Sequence, residues 1–338
     1  MIIEENTYLK LFANCIFVDG AKRSTLCDLQ KGKYEFIPNS MVDVISELKQ
    51  HPIKTVLKNN SKENRQTILE YIDYLISKEY AFYCEKDELD LFPEIINQWD
   101  YPGEISNAII DIDIKSNHDF QKIFTELEEL GCQYVLIKSY SPQEIDFFEK
   151  VLELIKDSTI SSIEIVTPLI SKLDKNKLNM FLESNKRIRS ITFSGSDSNK
   201  QEVIKNCLIE YVVKEIKDNS CCGAITPRNF RINVDAFFES KNYNSCLNRK
   251  IAIDIHGDIK NCPSMAVSYG NTKNTTLKEV LYKKEFKENW KVKKDQIEIC
   301  KDCEFRHICS DCRAFLNKTE QYNKPKKCNY DPYTATWN

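Results

Sequence analysis

The chain has 338 residues, a formal net charge of −3, 29% charged and 41% hydrophobic residues. That length suits two or three domains, and the near-neutral balance gives no footprint for nucleic acid or a membrane surface. No run approaches eighteen uninterrupted apolar residues, and MIIEENTYLK has neither the basic start nor the apolar core of a signal peptide, so a cytoplasmic location is expected.

Residues 1–85 open with two β-like runs, YLKLFANCIFVDG and RSTLCDLQKGKYEFI, broken at Asp19-Gly20 and Lys31-Gly32. A helix is expected from Pro38-Asn39-Ser40, with Ser40 as its cap and Met41, Val44, Ile45 and Leu48 on one face. A short helix over Ile53 to Leu57 and a longer one over Asn64 to Ser77 follow. Strands and then three helices make a small α+β module of winged-helix type. Residues 86–104, acidic and then carrying Pro93, Pro102 and Gly103, read as a linker.

Residues 105–217 change rhythm. NAIIDIDI, QYVLIK, SIEIVTP, IRSITFS and LIEYVVKEI alternate with expected helices over 119–130, 142–156, 174–184 and 198–206. Short β-branched strands in βαβα order argue an α/β fold with a parallel sheet buried on both faces, open or closed into a partial barrel. On the first strand, alternation places Asp111, Asp113 and Lys115 on one side, with His118 beyond. That is a carboxylate pair facing a cavity or, more blandly, one solvated side of a strand. From 218 to 338 the alternation stops, and cysteines, glycine turns and short β pieces take over.

Fourteen cysteines are many for a chain expected where thiols stay reduced, so metal or redox chemistry comes before disulfides. Cys15, Cys27, Cys84 and Cys132 sit among apolar neighbours and read as small buried hydrophobes. The other ten lie between Cys207 and Cys328. Cys300, Cys303, Cys309 and Cys312 form C-x2-C-x5-C-x2-C, and four thiolates are enough for one metal site. But Cys246 and Cys262 stand upstream as C-x10-G-x4-C around Gly257, and Cys328 follows fifteen residues after the block. These seven cysteines exceed one tetrahedral site and nearly fill two.

Over residues 240 to 335 this pattern resembles the SPASM domain that follows radical S-adenosylmethionine (SAM) barrels in peptide-modifying enzymes. SYGNTKNTTLKEVL, Phe286 and Trp290 fit it too. The last pair of the block departs, being separated by two residues where the family usually has three. The resemblance implies two auxiliary [4Fe–4S] clusters, with zinc as the alternative. Cys246, Cys262 and Cys312 would hold the first. Cys300, Cys303, Cys309 and Cys328 would hold the second. The first then has an open corner for Cys222, Cys221 or a substrate atom, although Cys221-Cys222-Gly223 also reads as a plain turn. His256 and His307 are either further ligands or surface histidines in turns.

The barrel of that family carries C-x3-C-x2-C after its first strand and a Gly-Gly-Glu run after its second. Here the corresponding stretches are IDIDIKSNHDF and QYVLIKSYSP, and C-x3-C-x2-C occurs nowhere in the chain. The resemblance therefore implies a radical-SAM-like partial barrel with no SAM expected. The N-terminal order resembles the peptide-recognition element of ribosomal peptide maturation systems, of PqqD type. That element takes a leader peptide as an added strand. The receiving edge would be Lys33 to Ile37, with Tyr34 and Phe36, and the facing helix Arg65 to Lys78, with Leu69 and Ile72. Such a module is otherwise a packing cap on the sheet domain. The full order resembles the maturases of grasp-with-spasm systems. The expected partners are then a ribosomal precursor peptide and an ATP-grasp ligase, with no nucleic acid or membrane. The competing readings are an iron–sulfur redox enzyme acting on the peptide itself and a zinc-stapled interaction protein.

Overall fold

The computed structural model describes residues 4–170, 173–316 and 320–338. The N-terminal elements are β1 (Tyr8–Leu11), β2 (Cys15–Val18), β3 (Ser24–Asp28), β4 (Lys33–Ile37), α1 (Asn39–Leu48), α2 (Ile53–Asn59), α3 (Lys62–Ser77) and β5 (Ala81–Cys84). The two expected β runs are thus four strands. β2, β3 and β4 form an antiparallel sheet with β4 at its edge, and β1 pairs with β5, a strand the sequence reading missed. One core joins them to the helices through Leu9, Leu26, Ile45, Ile53, Ile72 and Leu75. Ser40 is not the cap of α1. Pro38 holds that position without a side-chain bond, and the Ser40 hydroxyl lies 2.8 Å from the Tyr71 hydroxyl of α3.

The central elements are β6 (Asn107–Ile112), α4 (Phe120–Glu129), β7 (Tyr134–Ser139), α5 (Ile145–Glu153), β8 (Ser162–Pro168), α6 (Lys175–Ser184), β9 (Ile188–Ser194), β10 (Lys200–Ile204) and β11 (Cys207–Val212). The C-terminal elements are α7 (Val234–Asn242), β12 (Lys250–Ile253), β13 (Ile259–Lys260), α8 (Leu277–Leu281), β14 (Tyr330–Asp331) and β15 (Thr336–Trp337). The fold is mixed α/β. Its main sheet has eight strands in the order β10-β11-β9-β8-β7-β6-β12-β13, parallel from β11 to β12 and open at both edges. The cysteine-rich region supplies β12 and β13 and so extends the sheet.

Two differences from the sequence reading have local causes. The helix expected over 198–206 is the strand β10. It turns back into β11 through Lys205 and Asn206, both at positive φ (51° and 66°), as a tight antiparallel hairpin requires. The sheet is also not buried on both faces. Ile110, Ile137, Ile165, Ile191 and Ile209 pack with α4, α5 and α6 in one core. The opposite face carries Asn107, Lys138, Glu164, Thr192, Glu210 and Lys250, brought side by side by the register. α4, α5 and α6 cover the apolar face, and Asp235, Ala236 and Glu239 of α7 share a cavity with the other.

Candidate metal centres

Hydrogen bonding within a short hairpin places the first two candidate ligands. Asp254 Oδ1 accepts from the backbone N–H groups of His256 (2.9 Å) and Asp258 (3.0 Å), which bends the chain between β12 and β13. Gly257 completes the bend at φ +84°, where a Cβ would come within 2.9 Å of Thr272 Oγ1. Ala252 pairs with Lys260 and Ile253 with Ile259. That register, carried on, sets Cys262 opposite Lys250. Cys246 lies one turn before β12, where Asn244 Oδ1 accepts from the N–H groups of Cys246 (3.1 Å) and Leu247 (2.9 Å).

The thiols fall into two neighbourhoods by the charges they feel. Burial pushes Cys262 up to about 11, and Cys246 and Cys222 push it further in the same direction. Burial also raises Cys312, with Cys246 and Cys222 again adding to the shift. Cys309 is pushed up to about 12 by burial, opposed by Lys294 and reinforced by Cys328 and Cys300. Burial raises Cys300, to which Cys328 adds, and Cys303, to which Cys309 adds. Cys246, Cys262, Cys312 and Cys222 therefore share one neighbourhood, and Cys300, Cys303, Cys309 and Cys328 the other. The block at 300–312 is divided, with Cys312 alone crossing to the upstream set. Thiols raised in this way are protonated near neutrality, and a bound metal would displace those protons.

A buried polar strut joins the two sets. Asn244 Nδ2 donates to Asp311 Oδ2 at 2.6 Å. Arg313 donates to Asp311 Oδ1 at 2.7 Å, and Lys294 Nζ lies 3.4 Å from the same oxygen. Arg313 also donates to the carbonyls of Gln321 and Asn323, holding the loop that leads to Cys328. Nothing in the spacing of single charged residues announced this strut. Its signal is three-dimensional.

Cys222 is exposed, and its segment is tied on both sides. Asn219 Nδ2 donates to Pro263 O beside Cys262 (2.9 Å), and Lys327 Nζ donates to the Cys222 carbonyl (2.5 Å). Gly223 has φ +83°, and a Cβ there would lie 2.8 Å from Cys312 Sγ, so only glycine lets this backbone approach the thiol. Cys221 faces elsewhere. Burial raises its thiol, Lys138 opposes that shift, and Asp111 is among its charged neighbours.

The remaining expected residues are placed as follows. His307 is buried and packs against Phe237 at 5.4 Å. Burial pushes it down to about 4, helped by Arg306 and opposed by Asp295, so it is a neutral core histidine. His256 is exposed in the hairpin turn. Asp111 does not share a cavity with Asp113. It is 1% exposed, accepts from the Tyr140 hydroxyl at 2.5 Å and lies 3.6 Å from Lys138 Nζ. Asp113 instead accepts from Lys115 N–H (2.7 Å) and the Ser116 hydroxyl (3.1 Å) in the turn after β6. His118 Nε2 is 2.9 Å from the Asp111 carbonyl.

Tyr34 and Phe36 point along β4 toward the cysteine block. Their rings lie 5.6 and 5.7 Å from that of Phe305, between Cys303 and Cys309. Phe36 stays 46% exposed beneath the Arg23 guanidinium at 3.4 Å. Ile72 is fully buried in the module core, and Leu69 is half-buried. The module is clamped to the block by Arg23 Nε to Glu304 Oε1 (2.9 Å), Thr25 Oγ1 to Glu304 O (2.8 Å) and Arg306 to Asp19 Oδ1 (2.7 Å).

Both sets are made of cysteines alone, the donor chemistry that an iron–sulfur cluster takes. All fourteen cysteines are free. Among the described residues no three ligating side chains converge closely enough to hold a single ion. The first set reaches a sizeable cavity through Cys246. That cavity, of about 730 Å³, lies against the polar sheet face and is lined by Ile109, Leu136, Glu164, Glu239, Cys246 and Lys250, among others. The void bordered by Cys309 measures about 10 Å³.

Residues 245–304 match the SPASM family, an iron–sulfur cluster-binding domain. No curated protein matches the sequence. Among solved structures, SuiB of Streptococcus suis bound to S-adenosylmethionine aligns over 96% of this chain and 99% of its own. The identity is 11% and the TM-score 0.43. Among the described residues no helix is long and apolar enough to cross a membrane.

Proposed function

We propose that this chain is a maturation factor for a ribosomally made, post-translationally modified peptide. In this reading it holds two [4Fe–4S] clusters, captures the precursor's leader and presents the peptide to an ATP-grasp ligase. The observation that carries the iron–sulfur part is the sorting of eight cysteines into two neighbourhoods within and beside the SPASM match. Cys246, Cys262 and Cys312, with Cys222 closing the set, would hold one cluster. Cys300, Cys303, Cys309 and Cys328 would hold the other. Such clusters, when bound, supply rigidity and one-electron transfer. The usual SAM-cleaving route is not assigned, because C-x3-C-x2-C is missing.

Leader capture is supported by β4, which is an edge strand whose exposed Phe36 lies beside a free main-chain ladder. Ile72 would act from the core as support for that edge. Leu69, half-buried on α3, is the helix residue left to touch a peptide. A second reading, direct redox modification of the peptide, is favoured by one observation. Cys246 and Lys250 both line the large cavity, so the first centre would be within reach of a bound substrate. The two readings separate when precursor and ligase are incubated with and without this protein. A mass change made by this chain alone supports the second. A change that requires the ligase supports the first. Binding of the precursor should weaken at least about tenfold in Phe36→Asp, with the melting temperature as the control for a disturbed clamp. Unchanged affinity would leave the module as a packing cap.

A further inference from the structure

Lys250 and Lys294 hold corresponding places in the two thiol sets. Lys250 Nζ is 3.6 Å from Cys246 Sγ, and Lys294 Nζ is 3.6 Å from Cys309 Sγ. Both distances suit an N–H donor to sulfur. Lys294 is 4% exposed, and a charge so far from water needs an anion nearby. Asp311 lies 3.4 Å away, but Arg313 binds the same carboxylate at 2.7 Å. Two cations and one carboxylate leave a net positive charge, and metal-bound thiolates would be the anions that face it. Among the described residues Lys250 has no carboxylate within ion-pair distance, so the Cys246 sulfur, a thiolate once a metal is bound, is the anion it would face.

We propose that Lys250 and Lys294 are the counter-charges of the two clusters, each donating to one ligand sulfur and stabilising the reduced form. The inference rests on the iron–sulfur reading. When a one-electron donor reduces a [4Fe–4S] cluster from 2+ to 1+, the site gains one negative charge. No bond breaks and no proton need move. A fixed ammonium at van der Waals distance favours that added charge and raises the reduction potential. The two lysines differ in surroundings. Lys250 is half-buried and borders the 730 Å³ cavity, whereas Lys294 is 4% exposed. Lys294 therefore has the larger effect.

The test uses the full chain purified anaerobically and reduced stepwise with dithionite, with the two clusters followed by electron paramagnetic resonance. Lys294→Met should change the oxidised-to-reduced ratio of the second cluster at fixed potential about tenfold, a fall of about 59 mV for one electron. Lys250→Met should shift only the first cluster, and by less. The Lys→Arg variants, which keep the charge, should restore both. If a Met variant loses its cluster while the Arg variant keeps it, the charge is needed for assembly, and the proposal stands. Unchanged potentials with full iron overturn it, as does loss of the same cluster from both Met and Arg variants, which points to shape and not charge. Wild-type protein without iron overturns the underlying iron–sulfur reading instead.

Discussion

The two thiol sets share one cysteine block, which gives three cysteines to one and Cys312 to the other, but they sit in different surroundings. The second is enclosed. Cys300 and Cys309 are buried, Phe305 between the ligands packs against Tyr34 and Phe36, and the nearby void is about 10 Å³. The first lies beside β12, borders a cavity of about 730 Å³, and includes the exposed Cys222. Enclosure suits a staple that holds the N-terminal module, and openness suits a centre that meets a substrate. The same pair of C-x2-C motifs can therefore serve two purposes, set by what packs around each sulfur.

The difference can be broken most severely at the enclosed set. Cys309→Ala should lose about four irons and also loosen the N-terminal module, read as faster proteolysis between residues 85 and 105. Cys262→Ala should lose a similar amount of iron and leave that digestion pattern unchanged. Equal effects on the module would erase the distinction. Next in size is the clamp. Glu304 is fully buried and Arg23 partly so, so Arg23→Met removes the carboxylate's cation, leaves it the Tyr330 hydroxyl as side-chain donor, and should cost roughly 2–4 kcal/mol in urea unfolding.

A smaller effect belongs to the cavity wall of the open set. Burial raises Glu239 from 4.5 to about 7, against the pull of Asn248 and Lys250. Its folded pKa lies above its unfolded one. The stability this group contributes is therefore complete below about pH 4.5 and is lost as pH rises through 7. Glu239→Gln keeps an acceptor for Asn248 and should flatten that slope, with the variant the more stable of the two at pH 8 by roughly 1–3 kcal/mol. A midpoint that tracks wild type from pH 5 to 8 would contradict it. Smallest is Gly223→Ala, where a positive φ and contact with Cys312 Sγ should cost about 1 kcal/mol. It should also disturb the first cluster's spectrum while sparing the second's.

Much of the fold was legible because it rests on repeating patterns. The alternation from NAIIDIDI to LIEYVVKEI located five of the six parallel strands of the main sheet, all but β12, since β-branched runs between amphipathic helices leave few alternatives. It failed at 198–206, where β10 is amphipathic enough to pass for a helix and only the Lys205-Asn206 turn decides. Cysteine spacing carried the site, because few other roles place so many thiols so close together. The spacing could not reach Lys250, Lys294 or the Asn244–Asp311 strut. Each is one polar residue in a chain that is 29% charged, and its role exists only after β12 and the block are brought together. The docking of β4 on Phe305 was hidden for the same reason. Two aromatic residues at 34 and 36 look like a binding edge whether or not part of that edge is already occupied.

The central claim is that two iron–sulfur clusters divide these cysteines. It is tested most directly by iron, sulfide and zinc analysis of the anaerobically purified chain together with its absorption spectrum. The account predicts about eight irons and as many sulfides per chain, with a broad band near ~400 nm. Colourless protein with stoichiometric zinc and no iron would contradict it.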